Sequence, residues 1–202
     1  MDHYQIKEEA KISLVGNRLM FLLAILLVSA ITSASSAMLG LGILIAPILS
    51  AGLYVVGKQI IQNKKMVFES LFVFFKNIDH AVKLFAVGIL VSLITSLGYI
   101  LFIIPGVIWG LQYSQALFIM ADNPQLEIME ALKKSKELMN GKKADLLLFY
   151  LSFILHFILG IITFGLYFLY FLPYFSCASI NYYLHLIGNK KGDKIIVDAE
   201  YV

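Results

Sequence analysis

The stretch Leu84–Ala121, LFAVGILVSLITSLGYILFIIPGVIWGLQYSQALFIMA, contains no Asp, Glu, Lys or Arg. One membrane-spanning helix needs about 20 apolar residues, so the stretch holds roughly two such lengths. Gly98 and Pro105 lie near its middle, where a chain that doubles back needs a turn. Two further uncharged stretches flank it, Leu19–Gly57 and Leu146–Asn189. The chain of 202 residues is 60% hydrophobic and 14% charged, against about 25% charged residues in a soluble domain. A soluble core of this size would have no polar face left for water. The sequence predicts an all-α membrane protein with six spans arranged as three hairpins.

The charges support the same organisation. All Lys, Arg, Asp and Glu fall in four regions: up to Arg18, Lys58–Lys83, Asp122–Asp145, and the tail from Lys190. If each uncharged stretch is a hairpin, the four regions share one side. The excess of Lys and Arg makes that side cytoplasmic. Both termini are then cytoplasmic, and the turns on the far side carry no charge. The net charge of +3 is read as lipid and topology chemistry rather than nucleic-acid binding. The leader before the first stretch is long and carries both signs, so the segment reads as an uncleaved span and not a signal peptide. Half of a 38-residue stretch reaches just under one hydrocarbon core of about 30 Å. The hairpins either cross with short spans or stop short of the far surface, and crossing is the expectation.

The organisation repeats. In each unit an amphipathic lead-in precedes a span, a Gly, a Pro and a second span: Gly40–Pro47, Gly98–Pro105 and Gly165–Pro173. A small residue follows each Pro, at Gly52, Gly110 and Ala178. Gly suits the turn, Pro suits the first turn of the returning helix, and small residues let helices approach closely in lipid. The lead-ins are predicted at about residues 4–16, 66–76 and 124–140, as helices lying in the interface. In the third, Asp122 or Asn123 caps, Pro124 opens and Gly141 closes the helix. These lead-ins read either as anchors for the hairpins or as surfaces for lipid sensing or a partner. Residues 1–189 form one membrane domain, with 190–202 as a cytoplasmic tail.

Several of these residues resemble a known family. Ile103-Ile104-Pro105-Gly106 through Ala121-Asp122-Asn123-Pro124, Glu130-Ala131-Leu132-Lys133-Lys134-Ser135 and Leu138-Met139-Asn140-Gly141-Lys142 are similar to the bacterial membrane family called "domain of unknown function 975". Leu172-Pro173-Tyr174 and Tyr182-Tyr183 fit it as well. The resemblance implies a bacterial cell-membrane protein of a Gram-positive organism. It also implies a fold similar to the membrane portion of some glycerophosphodiester phosphodiesterases. It implies no catalytic residue.

The residues themselves encode no recognisable chemistry. No Gly-rich phosphate loop, His-Glu-x-x-His, Gly-x-Ser-x-Gly or metal-ligand spacing occurs, and Cys177 is the single cysteine. No enzyme activity, cofactor or metal is expected. The candidate site is a set of polar residues at membrane depth: Gln112, Gln115, His156 and Asn181. They read either as interhelical hydrogen-bonding groups or as the lining of a polar cavity for a lipid headgroup or solute. Two functions compete: a non-enzymatic module that binds or moves a small amphiphile or lipid, and a membrane-shaping or regulatory scaffold. The expected partners are membrane lipids, with a protein partner or homo-oligomer left open.

Overall fold

A computed structural model describes residues 2–37 and 42–188. Among them every regular element is helical. In chain order they are α1 (His3–Ser13), α2 (Arg18–Ala37), α3 (Gly42–Ile61), a 3₁₀ segment (Phe68–Lys76), α4 (Ile78–Leu101), α5 (Ile103–Tyr113), α6 (Ala116–Asp122), α7 (Ile128–Leu138), α8 (Lys143–Leu151), α9 (Ile154–Ile162) and α10 (Leu166–Gly188).

Five helical stretches are long and apolar enough to cross a membrane: Arg18–Ala37, Gly42–Ile61, Ile78–Leu101, Ile103–Asp122 and Lys143–Ile162. Only 17% of the most apolar window in α4 is buried inside the protein. A water-soluble protein would not leave such a helix facing solvent, whereas lipid accepts it. α10 is long enough, at 23 residues, but is less apolar. Tyr167, Tyr170, Tyr174, Tyr182, Tyr183, Pro173 and Asn181 interrupt its aliphatic character.

Each uncharged stretch folds back on itself. Phe21 near the start of α2 adjoins Gly57 near the end of α3, while Ser36 adjoins Gly42 at the opposite ends. α4 and α5 run antiparallel and close together: a Cβ on Gly98 would lie 2.8 Å from the Gly106 Cα. Gly160 of α9 meets the Phe168 ring of α10 in the same sense.

The turns and prolines depart in part from the sequence expectation. Gly40 lies outside the described residues. The second turn falls at Phe102, which is extended (φ −163°, ψ 155°), and Gly98 is still inside α4. The third turn is at Phe164 and Gly165, both left-handed (φ 51° and 89°). Pro105 sits in the first turn of α5, as expected. Pro47 and Pro173 instead lie inside α3 and α10. Both helices begin earlier than the prolines suggested, because proline ends a helix only where no packing holds the preceding turn. Pro47 packs against Gly88 of α4, and Pro173 is buried.

The lead-in segments pack on the bundle. α1 buries Ile6 and Ala10, with Leu14 just beyond its end, and it lies against α10. The 3₁₀ segment buries Leu71 and Phe74, leaving Phe68, Phe72 and Phe75 outward. α7 buries Ala131, Leu132, Ser135 and Leu138 against α4, α5 and α6. Its start is corrected: the backbone N–H of Glu127 donates to Glu130 at 3.2 Å, and the helix begins at Ile128. Asp122 does not cap it, because its carboxylate turns into the protein.

The small residues serve different neighbours. Ala178 is wholly buried. Gly52 faces the Leu71 carbonyl so closely that a Cβ would overlap backbone, while at Gly110 a Cβ would rest 3.4 Å from the Thr95 methyl. Gly52→Ala is therefore expected to cost about 1–3 kcal/mol by overpacking, and Gly110→Ala to stay within about 0.5 kcal/mol. Thermal unfolding in one detergent compares the two directly.

Candidate functional site: a polar hub at the end of α10

Successive helical residues turn by about 100°, so neighbouring side chains on α10 reach different helices. Asn181 and His185, four apart, share one face. Asn181 Nδ2 donates to the Ile6 carbonyl and to Glu9 Oε2, both at 3.0 Å. His185 Nε2 meets the same Glu9 oxygen at 2.7 Å, and Gln5 donates to the other at 2.9 Å. The Tyr182 hydroxyl donates to Asp145 at 2.7 Å, which also holds His3 at 3.0 Å. The Tyr183 hydroxyl points to Asp122 at 3.4 Å. Three carboxylates from three parts of the chain thus converge on one helical turn and its neighbour.

Asp122 is the deepest of them, its side chain 1% exposed. Lys58 Nζ and the Tyr54 hydroxyl each donate to it at 2.6 Å. The rings of Tyr54, Phe118 and Tyr183 close over it with centroids 4.7–5.7 Å apart. An isolated carboxylate at this depth would be very unfavourable, and a lysine with two hydroxyls satisfies it. The group joins α3, α6 and α10, one helix from each uncharged stretch.

The polar residues read from the sequence do not form one cavity. Gln112 accepts from Lys143 Nζ at 2.7 Å through its side chain and from Ser135 Oγ at 2.9 Å through its carbonyl. Gln115 donates to Ser114 at 2.8 Å, leaving its Oε1 buried without a protein partner. His156 stacks on Phe171, centroids 5.1 Å apart, and its Nδ1 is likewise unpartnered. Asn181 belongs to the hub. Gln112 and Asn181 therefore serve different helices, and His156 sits among aromatic rings.

Beside Gln112 the helices enclose a cleft of about 430 Å³. Ile103, Ile104, Val107, Ile108 and Leu111 of α5 line one wall, and Ala144 and Leu147 of α8 the other. Lys143 stands at one end. The cleft was not legible in the sequence. Its one signal was the apolar stripe on α5 at helical spacing, which reads equally as a lipid-facing surface.

Residues 100–190 match the model of the family described as "Protein of unknown function (DUF975)". The match supports that family for just under half of the chain. The DUF975 segment carries Asp122, Asp145, Tyr182 and Tyr183 of the hub together with both walls of the cleft, while Lys58, Tyr54, His3 and Glu9 come from outside it. Neither the curated proteins nor the solved structures yield a match. The expected likeness to phosphodiesterase membrane portions gains no support from them.

Hydrogen bonding from Asn181, then from His185 and Gln5, holds the Glu9 carboxyl below its ordinary value of 4.5, against an opposing effect of burial. A depressed carboxylate stabilises the fold above its unfolded pKa and loses that contribution as pH falls through its folded value. The α1–α10 contact is thus expected to loosen as pH falls below the ordinary carboxyl value of 4.5. Amide hydrogen exchange over α1 should rise there in the wild type, and should rise far less steeply in Glu9→Gln.

Proposed function

We propose that the chain is a multi-pass protein of a bacterial cell membrane, with its charged helix ends and both termini cytoplasmic, and that it binds an amphiphile without transforming it. The observation that carries the proposal is the cleft between α5 and α8. Its walls are aliphatic over about two turns of α5, and its one charged member is Lys143. That is the chemistry of an acyl chain with an anionic head. The chain lies along Val107 and Leu111, and the head meets the Lys143 ammonium where Gln112 Oε1 already orients it.

Membership of the whole chain in DUF975, and a threefold ancestry of its hairpins, belong to the same reading. Three antiparallel pairs, each preceded by a packed amphipathic segment, support it. No motif in the sequence supplies a nucleophile, general base or metal, so binding or movement of lipid is favoured over catalysis.

Filling the cleft tests the proposal. Native mass spectrometry of the protein from mixed phosphatidylglycerol–phosphatidylcholine vesicles is expected to show one retained lipid, mostly the anionic one. Val107→Trp should abolish retention. Lys143→Gln should keep a lipid but lower the anionic preference roughly 10- to 150-fold, since a charge-assisted contact is worth about 1.5–3 kcal/mol. Equal retention in wild type and Val107→Trp would end this reading.

A further inference from the structure

We propose that the 3₁₀ segment Phe68–Lys76 is a binding surface for anionic lipid, its outward phenylalanines sunk among acyl chains and its flanking lysines on the phosphates. The inference rests on α3 and α4 being membrane spans, as proposed above, and is independent of the α5–α8 cleft.

The segment leaves the charged end of the protein and returns to it. α3 ends at Ile61, and Asn63, left-handed at φ 54°, reverses the chain. The Val67 N–H donates to Gln59 Oε1 at 3.5 Å, and Gln59 Nε2 donates to Ser70 Oγ at 2.9 Å. The chain thus runs back along α3. Next to Ser70, the Leu71 carbonyl meets Gly52 so closely that a Cβ there would overlap it. Gly52 precedes Lys58 on α3 by about 9 Å of helix axis, and Lys58 pairs with Asp122 at the charged end. The Phe74 ring then packs edge-on against His80, centroids 4.8 Å apart. Asn77 closes the excursion by accepting from the His80 N–H at 3.2 Å, which caps α4. The segment therefore dips about 9 Å below the Lys58–Asp122 pair, a depth typical of the apolar face of an interfacial helix.

Residues three apart eclipse in a 3₁₀ helix. Leu71 and Phe74 form the buried row, while Phe72 and Phe75 form an exposed one, with ring centroids 6.3 Å apart. Phe68 is partly exposed beside them. Glu69 is the one acid of the segment and stands in its first turn, at the shallow end. At the depth of Gly52 the outward phenylalanines face acyl chains.

Three lysines frame this face, Lys64 and Lys65 where the chain turns back and Lys76 where the segment ends. Neighbouring lysines are satisfied within the protein, Lys58 by Asp122 and Lys83 by Asp79 and the Pro124 carbonyl. Lys64, Lys65 and Lys76 are exposed and make no ion pair among the described residues. Unpaired cations at headgroup level beside inserted aromatic rings complement an anionic leaflet. A soluble partner protein would need the same rings to face water.

Tryptophan fluorescence tests the assignment. Trp109 is the single tryptophan, so Phe72→Trp in a Trp109→Phe background moves the reporter to the exposed row, and Phe75→Trp is the second variant should the first fold poorly. Each is reconstituted in phosphatidylcholine vesicles containing an equal fraction of chain-brominated phosphatidylglycerol or chain-brominated phosphatidylcholine. The expected result is quenching by brominated chains, stronger for phosphatidylglycerol, with shielding from aqueous acrylamide. The preference for phosphatidylglycerol should be lost in Lys64→Gln/Lys65→Gln/Lys76→Gln while chain quenching persists. Acrylamide quenching as strong as that of Lys142→Trp in the same background, with none from brominated chains, would overturn the proposal. Equal quenching by the two brominated lipids before the lysines are changed would overturn the anionic assignment. Trp109 in the unmodified protein separates the two readings: its quenching by brominated chains without that of Trp at position 72 or 75 sinks this proposal alone, and loss of both sinks the membrane reading with it.

Discussion

A carboxylate buried among helices needs a partner, and Asp122 finds one on each side of it. Lys58 and Tyr54 come from α3 and Tyr183 from α10, while Asp122 itself ends α6. Within lipid there is no hydrophobic drive to bring helices together, so association rests on packing and polar contacts. The aliphatic faces of α2, α4 and α9 would be equally content against acyl chains. What distinguishes one arrangement of the three helix pairs from another is where the few polar groups are satisfied. Two short hydrogen bonds to Asp122 tie α6 to α3, and the longer contact from Tyr183 adds α10.

The same logic extends along α10. Tyr182 and Asn181 take Asp145 and Glu9, which brings α8 and the N-terminal helix to the same place. α1 is consequently a structural part of the bundle rather than a detached arm. Its contacts with Asn181 and His185 bridge almost the whole length of the chain. The result is a polar layer at one end of the molecule. Outside it lie long apolar faces, one of which folds into the cleft beside Lys143. The cleft lies at that boundary, where a charged end meets an apolar groove.

Much of this was legible in the sequence, and what was not has a common cause. Uncharged stretches of double length revealed the helix pairs, because a charge in hydrocarbon is costly enough to be excluded. The apolar stripe Ile6, Ala10, Leu14 marked the buried face of α1, since periodicity is local. Asn181 was singled out because an amide at membrane depth requires a partner. Which partner was not readable, because Ile6 and Glu9 lie more than 170 residues away. Asp122, beside Asn123, reads as a candidate helix cap, as a charge at the edge of an apolar run marks a boundary equally well. Pro47 and Pro173 were placed at helix starts because local propensity favours it, and packing against Gly88 and within the core of α10 overrode that preference. His156 and Gln115 stand out in the sequence as polar groups within uncharged stretches. Gln115 Oε1 and His156 Nδ1, with Arg18 Nε and Thr95 Oγ1, are the buried side-chain atoms among the described residues without a protein hydrogen-bond partner.

Asp122 joins α3 and α10 through α6, and double-mutant cycles measure the coupling at each contact. Unfolding free energies of Lys58→Met, Tyr183→Phe, Asp122→Ala and the corresponding doubles with Asp122→Ala would be compared in one detergent. The expected result is that each double costs less than the sum of its singles, with coupling of about 0.5–3 kcal/mol, larger for Lys58 than for Tyr183. Strictly additive costs in both cycles would show that the three helix pairs assemble without any contribution from Asp122.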